Sequence, residues 1–141
     1  MSIYADTSFF VSLYLPDRYS AETERRMASK PRIWLTPLHL AEWTRAVSQH
    51  VFRKEISPRE AGLAHAELER DCESGLWLEV DVPESAWQTC IKLGRRHGPK
   101  LGTRTLDSLH VAAALELGAK SFWTFDERQA KLAAAESLPM S

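Results

Sequence analysis

The sequence predicts an α/β protein, a three-layer α/β/α sandwich with a small, mostly parallel central sheet. Short apolar segments alternate along the chain with longer segments of helical spacing, which is the pattern of parallel strands joined by helices. The apolar segments are only four or five residues long, so helices make up most of the mass. With 141 residues and no internal repeat or long linker, we expect one domain over residues 1–141.

Apolar spacing and capping residues place the elements of the first half. In order, they are a strand at 2–5, helices at 6–15 and 21–30, a strand at 32–35, and helices at 36–54 and 57–75. Pro16 ends the first helix. Thr36 caps the helix at 36–54, and Pro37 takes its first position. Ser57 and Glu60 form a capping box at the start of the next helix.

The second half continues the alternation. It comprises a strand at 76–80, a helix at 83–96, a loop at 97–103, a helix at 106–119, a strand at 121–125 and a helix at 126–135. The loop is predicted because the segment HGPKLGT contains two glycines and a proline. Gly118 ends the apolar helix LDSLHVAAALELGA. The tail ESLPMS is left open as a further edge strand.

Composition narrows the functional class. A net charge of −1 and a pI near 6.5 argue against a protein that coats nucleic acid by bulk charge. No apolar run approaches the roughly 20 residues needed to cross a bilayer, and the N-terminus does not resemble a signal peptide, so we expect a cytoplasmic protein. Cys72 and Cys90 follow no metal-binding spacing and are interpreted as small apolar residues.

Four acidic residues occupy positions that suit a functional site. Asp6 follows the first strand and Asp126 follows the last, where sites of open α/β sheets collect. Glu42 and Asp107 interrupt otherwise apolar helices, and a buried carboxylate needs a partner, for which a divalent cation is a candidate. Each acid also has a simpler explanation. Asp6 and Asp126 would each cap a helix, and Glu42 would form an ion pair with Arg45. Asp107 would be a first-turn acid that interacts favourably with the helix dipole. Their joint placement favours one shared pocket.

Three segments together resemble the PIN-domain family, and more narrowly the VapC toxins of type II toxin–antitoxin systems. They are YADTSFFVSLYLPD, LTPLHLAEWTRAV and TLDSLHVAAALELGAKSFWTFDERQAKLA. The resemblance implies a metal-dependent endoribonuclease with the catalytic quartet Asp6, Glu42, Asp107 and Asp126. It implies that Asp6, Asp107 and Asp126 hold Mg²⁺ or Mn²⁺, while Glu42 binds through water or orients the attacking water. A non-catalytic PIN-type RNA- or protein-binding module is the alternative.

The chemistry explains why such a family needs carboxylates and a metal. Attack on a phosphodiester builds negative charge, which a hard divalent cation neutralises while making its bound water more acidic. Oxygen ligands suit Mg²⁺, which keeps several waters of its own. Thr7 and Ser8, next to the first acid, are candidates for positioning water or phosphate at a helix start. His110 and His39 are interpreted as core histidines rather than metal ligands.

Four basic residues that precede the predicted helix at 106–119 are candidate RNA contacts. They are Arg95, Arg96, Lys100 and Arg104. A basic loop beside an acidic metal site would bind the phosphates of single-stranded RNA, although a solvated loop or a contact for an acidic antitoxin segment fits the same charges. The resemblance also implies a VapB-type antitoxin as partner and a homodimer.

Overall fold

A computed structural model describes residues 2–140 and places four short parallel strands at its centre. The strands are β1 Ser2–Ala5, β2 Arg32–Leu35, β3 Leu78–Glu79 and β4 Ser121–Trp123. They lie in the order β3-β2-β1-β4, so the first strand is central. Ile3 pairs with Ile33 on one side and with Ser121 on the other. The predicted small sheet is confirmed, and every pairing in it is parallel.

Seven helices within residues 2–140 connect and cover the strands. They are α1 Thr7–Tyr14, α2 Ser20–Met27, α3 Pro37–Phe52, α4 Pro58–Glu73, α5 Ser85–Leu101, α6 Thr105–Leu117 and α7 Glu127–Ala135. The two predicted proline-led starts are present, since Thr36 and Ser57 cap α3 and α4 with Pro at the first helical position. In α3 the third helical residue is His39, whose ring completes the capping box in place of a Glu.

The sheet separates two apolar cores because successive side chains of a strand point to opposite faces. Ile3 and Ala5 pack with residues of α1, α3 and α4, whereas Tyr4 packs with residues of α5, α6 and α7. The large buried side chains of the first core include Phe9, Phe10 and Trp43. The second core is filled mainly by the leucine, valine and alanines of α6. The predicted three-layer α/β/α sandwich is therefore confirmed.

The predicted loop at 97–103 is wrong, because α5 continues to Leu101. The residues that face the second core, such as Leu93, recur at helical spacing, and His97 and Leu101 extend that face. Packing against the neighbouring helices overrides Gly98 and Pro99, and Pro99 lies close enough to the end to interrupt little of the helix. The helix ends instead at Gly102, whose φ of 63° is the left-handed conformation that glycine adopts readily.

The tail after α7 forms no strand within residues 136–140. It does pass beside the sheet edge, where the backbone N–H of Phe122 donates to the carbonyl oxygen of Pro139 over 2.7 Å. Leu138 and Met140 pack on the second core. Among the described helices, none combines the length and the apolar character that a bilayer-spanning segment needs.

Candidate active site at the carboxyl end of the sheet

All four predicted acids line a single cleft of about 670 Å³. Asp6 is the cap residue between β1 and α1, and Asp126 is the cap residue that precedes α7. Because β1 and β4 are parallel neighbours, their carboxyl ends bring these two residues to the same edge of the sheet. Glu42 reaches the cleft from α3, and Asp107 reaches it from the first turn of α6.

Asp6 is held by hydroxyl groups and is only 2% exposed. Ser8 Oγ donates to its Oδ1 over 2.5 Å, and Thr124 Oγ1 donates to its Oδ2 over 2.7 Å. Burial raises the pKa of the Asp6 carboxyl above its ordinary value, although these hydrogen bonds and the nearby His110 act in the opposite direction. Asp6 is the N-cap residue of α1 by its position, but its side chain makes no capping hydrogen bond, so helix capping alone does not explain an aspartate there.

Glu42 belongs to a different network, and its side chain is 26% exposed. Thr7 Oγ1 donates to Glu42 Oε1 over 2.7 Å, and His110 Nε2 contacts the same oxygen. Burial acts to raise the pKa of Glu42, but the hydrogen bonds from His110 and Thr7 outweigh it, so the pKa lies below the ordinary value. The basic partner of Glu42 is His110 and not Arg45, so the simpler explanation of Glu42 as a partner of Arg45 does not account for its position.

His110 joins Glu42 to the core and is 1% exposed. The Tyr4 hydroxyl lies 2.7 Å from His110 Nδ1. Burial and the charges of Asp6 and Glu42 raise the pKa of Tyr4 well above its ordinary value, so the hydroxyl keeps its proton. Because the ionised carboxylate of Glu42 can only accept hydrogen bonds, His110 Nε2 is the donor to Glu42. The buried position predicted for His110 is present, with a role in holding a carboxylate.

His39 is a structural residue that is fully buried. Its Nδ1 accepts from the backbone N–H of Thr36 over 3.0 Å, so its Nε2 donates to the carbonyl oxygen of Ala5 over 2.7 Å. Burial, together with the nearby His110, lowers the pKa of His39 well below its ordinary value, which keeps the ring neutral. The interpretation of His39 as a core residue is confirmed.

Asp107 and Asp126 are linked by one residue, Gln129, which the sequence analysis did not single out. Gln129 Nε2 donates to Asp107 Oδ1 over 3.2 Å, while the backbone N–H of Gln129 donates to Asp126 Oδ1 over 3.0 Å. Asp126 is therefore a helix cap as well as a cleft residue. The other oxygen of Asp107 lies 3.6 Å from Nε of Arg104, which supplies the partner that the buried aspartate needs.

Thr124 and Thr7 complete the connections between the acids. Thr124 Oγ1 donates to Asp6 and accepts from the backbone N–H of Asp126 over 2.9 Å. Thr7 directly follows Asp6 and donates to Glu42. The hydroxyls of Thr7 and Ser8 thus each donate to a carboxylate of the cleft. Hydroxyl residues beside the first acid were a usable signal, whereas nothing in the sequence distinguished Thr124 or Gln129.

Contacts divide the cleft into two parts. The Asp6 cluster consists of Asp6, Ser8, Asp107, Thr124, Asp126 and Gln129. The Glu42 cluster consists of Tyr4, Thr7, Glu42 and His110. Three of the four acids belong to the Asp6 cluster, where hydroxyl and amide groups are the main donors.

The predicted basic residues do not all reach the cleft. Arg104 lines it, but Arg95, Arg96 and Lys100 are exposed residues of α5 outside it. Arg96 pairs with Glu136 over 3.0 Å. Arg45 is a basic residue that the sequence analysis did not propose as an RNA contact; it lines the cleft and has no acidic partner among residues 2–140. Two arginines therefore flank the acids.

The oxygen atoms that line the cleft suit a hard divalent cation. Carboxylate, hydroxyl and amide oxygens are the ligands that Mg²⁺ and Mn²⁺ prefer. Within residues 2–140, no three His, Cys, Asp or Glu side chains form a ready-made ligand cluster. Mg²⁺ keeps several waters of its own and is commonly bound through only one or two carboxylates.

Comparisons with known proteins agree with this geometry. The PIN domain family model matches residues 3–135. No curated protein sequence matches the chain significantly. VapC20 of Mycobacterium tuberculosis, described as a toxin that cleaves the sarcin–ricin loop, has a similar fold, with a TM-score of 0.71, 21% identity and 94% of each chain covered.

Two further solved structures share the fold. FitAcB of Neisseria gonorrhoeae matches with a TM-score of 0.72 and 15% identity, over 98% of this chain and 95% of that one. VapBC2 of Rickettsia felis, bound to a DNA fragment from its promoter, matches with a TM-score of 0.65 and 19% identity, over 100% and 98% of the chains. The family model covers nearly the whole chain, and this protein therefore belongs to the PIN domain family.

Proposed function

We propose that this protein is a metal-dependent endoribonuclease and the toxin of a type II toxin–antitoxin system. The observation that carries the proposal is the meeting of Asp6, Glu42, Asp107 and Asp126, from four separate segments, in one cleft. Membership of the PIN domain family supports a nuclease. The similar folds of VapC20 and VapBC2 support the toxin role.

Mg²⁺ or Mn²⁺ is the cofactor that the oxygen atoms of the cleft suit. Asp6, Asp107 and Asp126 would hold it, and it would neutralise charge on the scissile phosphate and make a water more acidic. Glu42 acts through its second oxygen. Thr7 and His110 both contact Oε1, so Oε2 has no protein partner among residues 2–140 and is open to accept a hydrogen bond from the attacking water. Its lowered pKa keeps it ionised for that role.

RNA is the proposed substrate, and the arginines of the cleft are its proposed backbone contacts. Arg104 and Arg45 flank the carboxylates and are exposed, so each can reach a phosphate next to the scissile one. Arg95, Arg96 and Lys100 stay proposed contacts for parts of an RNA that extend along α5. Thr7 and Ser8 act by holding Glu42 and Asp6 in place.

A VapB-type antitoxin and a second copy of the chain are the proposed partners, in the cytoplasm. Trp87 and Ile91 are 54% and 60% exposed and lie one turn apart on α5, which leaves an apolar face for a protein contact. The exposed arginines of the cleft provide charges that an acidic antitoxin segment would meet.

The test compares wild type with Asp107→Asn. We expect induction of wild type to arrest growth and to produce new RNA 5′ ends at a defined sequence. The variant should do neither, because a neutral side chain replaces a metal ligand of nearly the same shape. Purified wild type should cleave RNA with Mn²⁺ or Mg²⁺ and stop when EDTA is added, while the variant loses at least about a hundredfold. Melting curves check that the variant is folded.

The alternative is a non-catalytic PIN-type module that binds RNA or protein. It is favoured by the lack of a ready-made ligand cluster within residues 2–140 and by the pairing of Asp107 with Arg104. Such a module would bind RNA equally well with or without the cation, and Asp107→Asn would leave its effect on growth unchanged. RNA ends that are identical in wild type and variant would favour the module.

A further inference from the structure

Gln129 touches two of the four acids although it belongs to no charged motif. It lies in the first turn of α7, lines the cleft and is 5% exposed. Its backbone N–H donates to Asp126, and its side chain crosses to Asp107 on a different helix. A single residue therefore contacts two carboxylates that lie 19 positions apart in the chain, one in the first turn of α6 and one at the start of α7.

The orientation of the Gln129 amide follows from the charge of its partner. An ionised carboxylate only accepts hydrogen bonds, so the NH₂ end must face Asp107. The carbonyl end is then turned away, and Oε1 is buried with no partner among residues 2–140. A buried acceptor without a donor is unfavourable for folding. An apolar side chain of the same length would fill this place without that penalty.

We infer that Gln129 is a positioning residue that holds Asp107 in the rotamer needed to bind the divalent cation, at no gain in the stability of the metal-free fold. This inference rests on the proposed function. Groups that orient a ligand without touching the metal commonly change metal affinity by 10–100-fold when they are removed. Gln129 has the position for such a role, because its side-chain amide donates to Asp107 Oδ1, while its buried Oε1 has no partner among residues 2–140.

The experiment measures Mn²⁺ affinity and metal-free stability separately. Gln129→Met keeps the length of the side chain but removes both amide ends, and Gln88→Met, on the exposed part of α5, is the matched control. Free Mn²⁺ is counted by its electron paramagnetic resonance signal during titration, with no RNA present. Melting curves are recorded in EDTA.

The expected result has three parts. Gln129→Met binds Mn²⁺ about 10–100-fold more weakly than wild type. Its metal-free melting temperature stays within about 2 °C of wild type, because one hydrogen bond and one unpaired acceptor are lost together. RNA cleavage falls at limiting Mn²⁺ and returns toward the wild-type rate at saturating Mn²⁺. Gln88→Met matches wild type in each measurement.

Other outcomes separate this inference from the proposed function. Equal Mn²⁺ affinity of Gln129→Met and wild type overturns the inference alone, and so does a large drop in the metal-free melting temperature, which assigns Gln129 to the core. A Gln88→Met variant that also loses affinity overturns it by showing that the effect is not specific. Wild type that binds no Mn²⁺ overturns the inference and the metal-dependent function together.

Discussion

Asp6 and Glu42 line the same cleft, but their surroundings shift their pKa values in opposite directions. Burial raises the pKa of Asp6, because the hydroxyls of Ser8 and Thr124 do not make up for lost water. Burial acts on Glu42 in the same sense, yet hydrogen bonds from His110 and Thr7 bring its pKa below the ordinary value. The protein alone satisfies the charge of the Glu42 cluster. The Asp6 cluster holds three acids, and among the described residues only the exposed Arg104, beside Asp107, pairs with any of them, so we expect a divalent cation to bind there.

The largest expected effect is a stabilisation by Mn²⁺ that depends on the Asp6 cluster. A ligand that binds only the folded state at 100 times its Kd adds ~2.7 kcal/mol to the free energy of unfolding, which corresponds to a shift of several degrees in a chain of this size. Asp6→Asn should abolish the shift, whereas Glu42→Gln should keep most of it. A thermal-shift titration measures both. If Glu42→Gln abolished the shift and Asp6→Asn kept it, the cation would bind at the Glu42 cluster instead.

His110→Ala gives the next largest effect, on the other cluster. The substitution leaves a cavity, removes a donor from Glu42 and leaves the buried Tyr4 hydroxyl without its hydrogen-bond partner. We expect a loss of about 2 kcal/mol in urea unfolding. His50→Ala, at a half-exposed histidine outside the cleft, should change stability by less than about 0.5 kcal/mol.

The same variant tests the pKa of Glu42. A lowered folded pKa adds stability above the ordinary value near 4.5, and that stability is lost as pH falls through the folded pKa. In His110→Ala, the free energy of unfolding should therefore fall less than in wild type as the pH is lowered from the ordinary pKa of Glu42. An unchanged loss would mean that His110 does not set the pKa of Glu42.

The fold could be predicted because local signals and packing agree over most of the chain. The strand around Ile3 and the proline-led helix starts at Pro37 and Pro58 were placed within a residue or two. The error at Gly98 and Pro99 has a physical cause. Helix-breaking signals there compete with an apolar face that continues to Leu101, and the contact of α5 with its neighbours decides the outcome.

The candidate site was predictable in its charged residues and not in its neutral ones. An aspartate at the end of a strand, such as Asp6, is visible because burying a charge needs an explanation. Thr124 and Gln129 are ordinary polar residues whose roles depend on which helix and strand end they meet, and no local pattern encodes that meeting. The pairing of Glu42 with His110, 68 residues away, is likewise a product of the fold.

Asp6→Asn should stabilise the metal-free protein at neutral pH by roughly 1–2 kcal/mol, a common size for a single substitution. Because the folded pKa of Asp6 is raised, the wild type loses stability as pH rises from about 3.8 through the folded pKa. Asn carries no charge to bury, so its advantage should be present at pH 7 and vanish below the ordinary pKa. Urea unfolding in EDTA at several pH values measures the difference. A variant less stable than wild type at pH 7 would show that the hydroxyls of Ser8 and Thr124 fully compensate the charge.

Tyr4→Phe has the smallest expected effect and asks whether the Glu42 cluster acts as a unit. The ring of Tyr4 stacks on Phe122 at 5.7 Å and would stay in place, so the substitution removes one buried hydrogen bond to His110. We expect a loss of about 0.5–1 kcal/mol in unfolding. If Tyr4 acts only through His110, the same substitution should cost nothing in the His110→Ala background, because the partner is already gone. A full cost in that background would mean that Tyr4 stabilises the core independently, and that the hydrogen bond to His110 contributes nothing to holding Glu42.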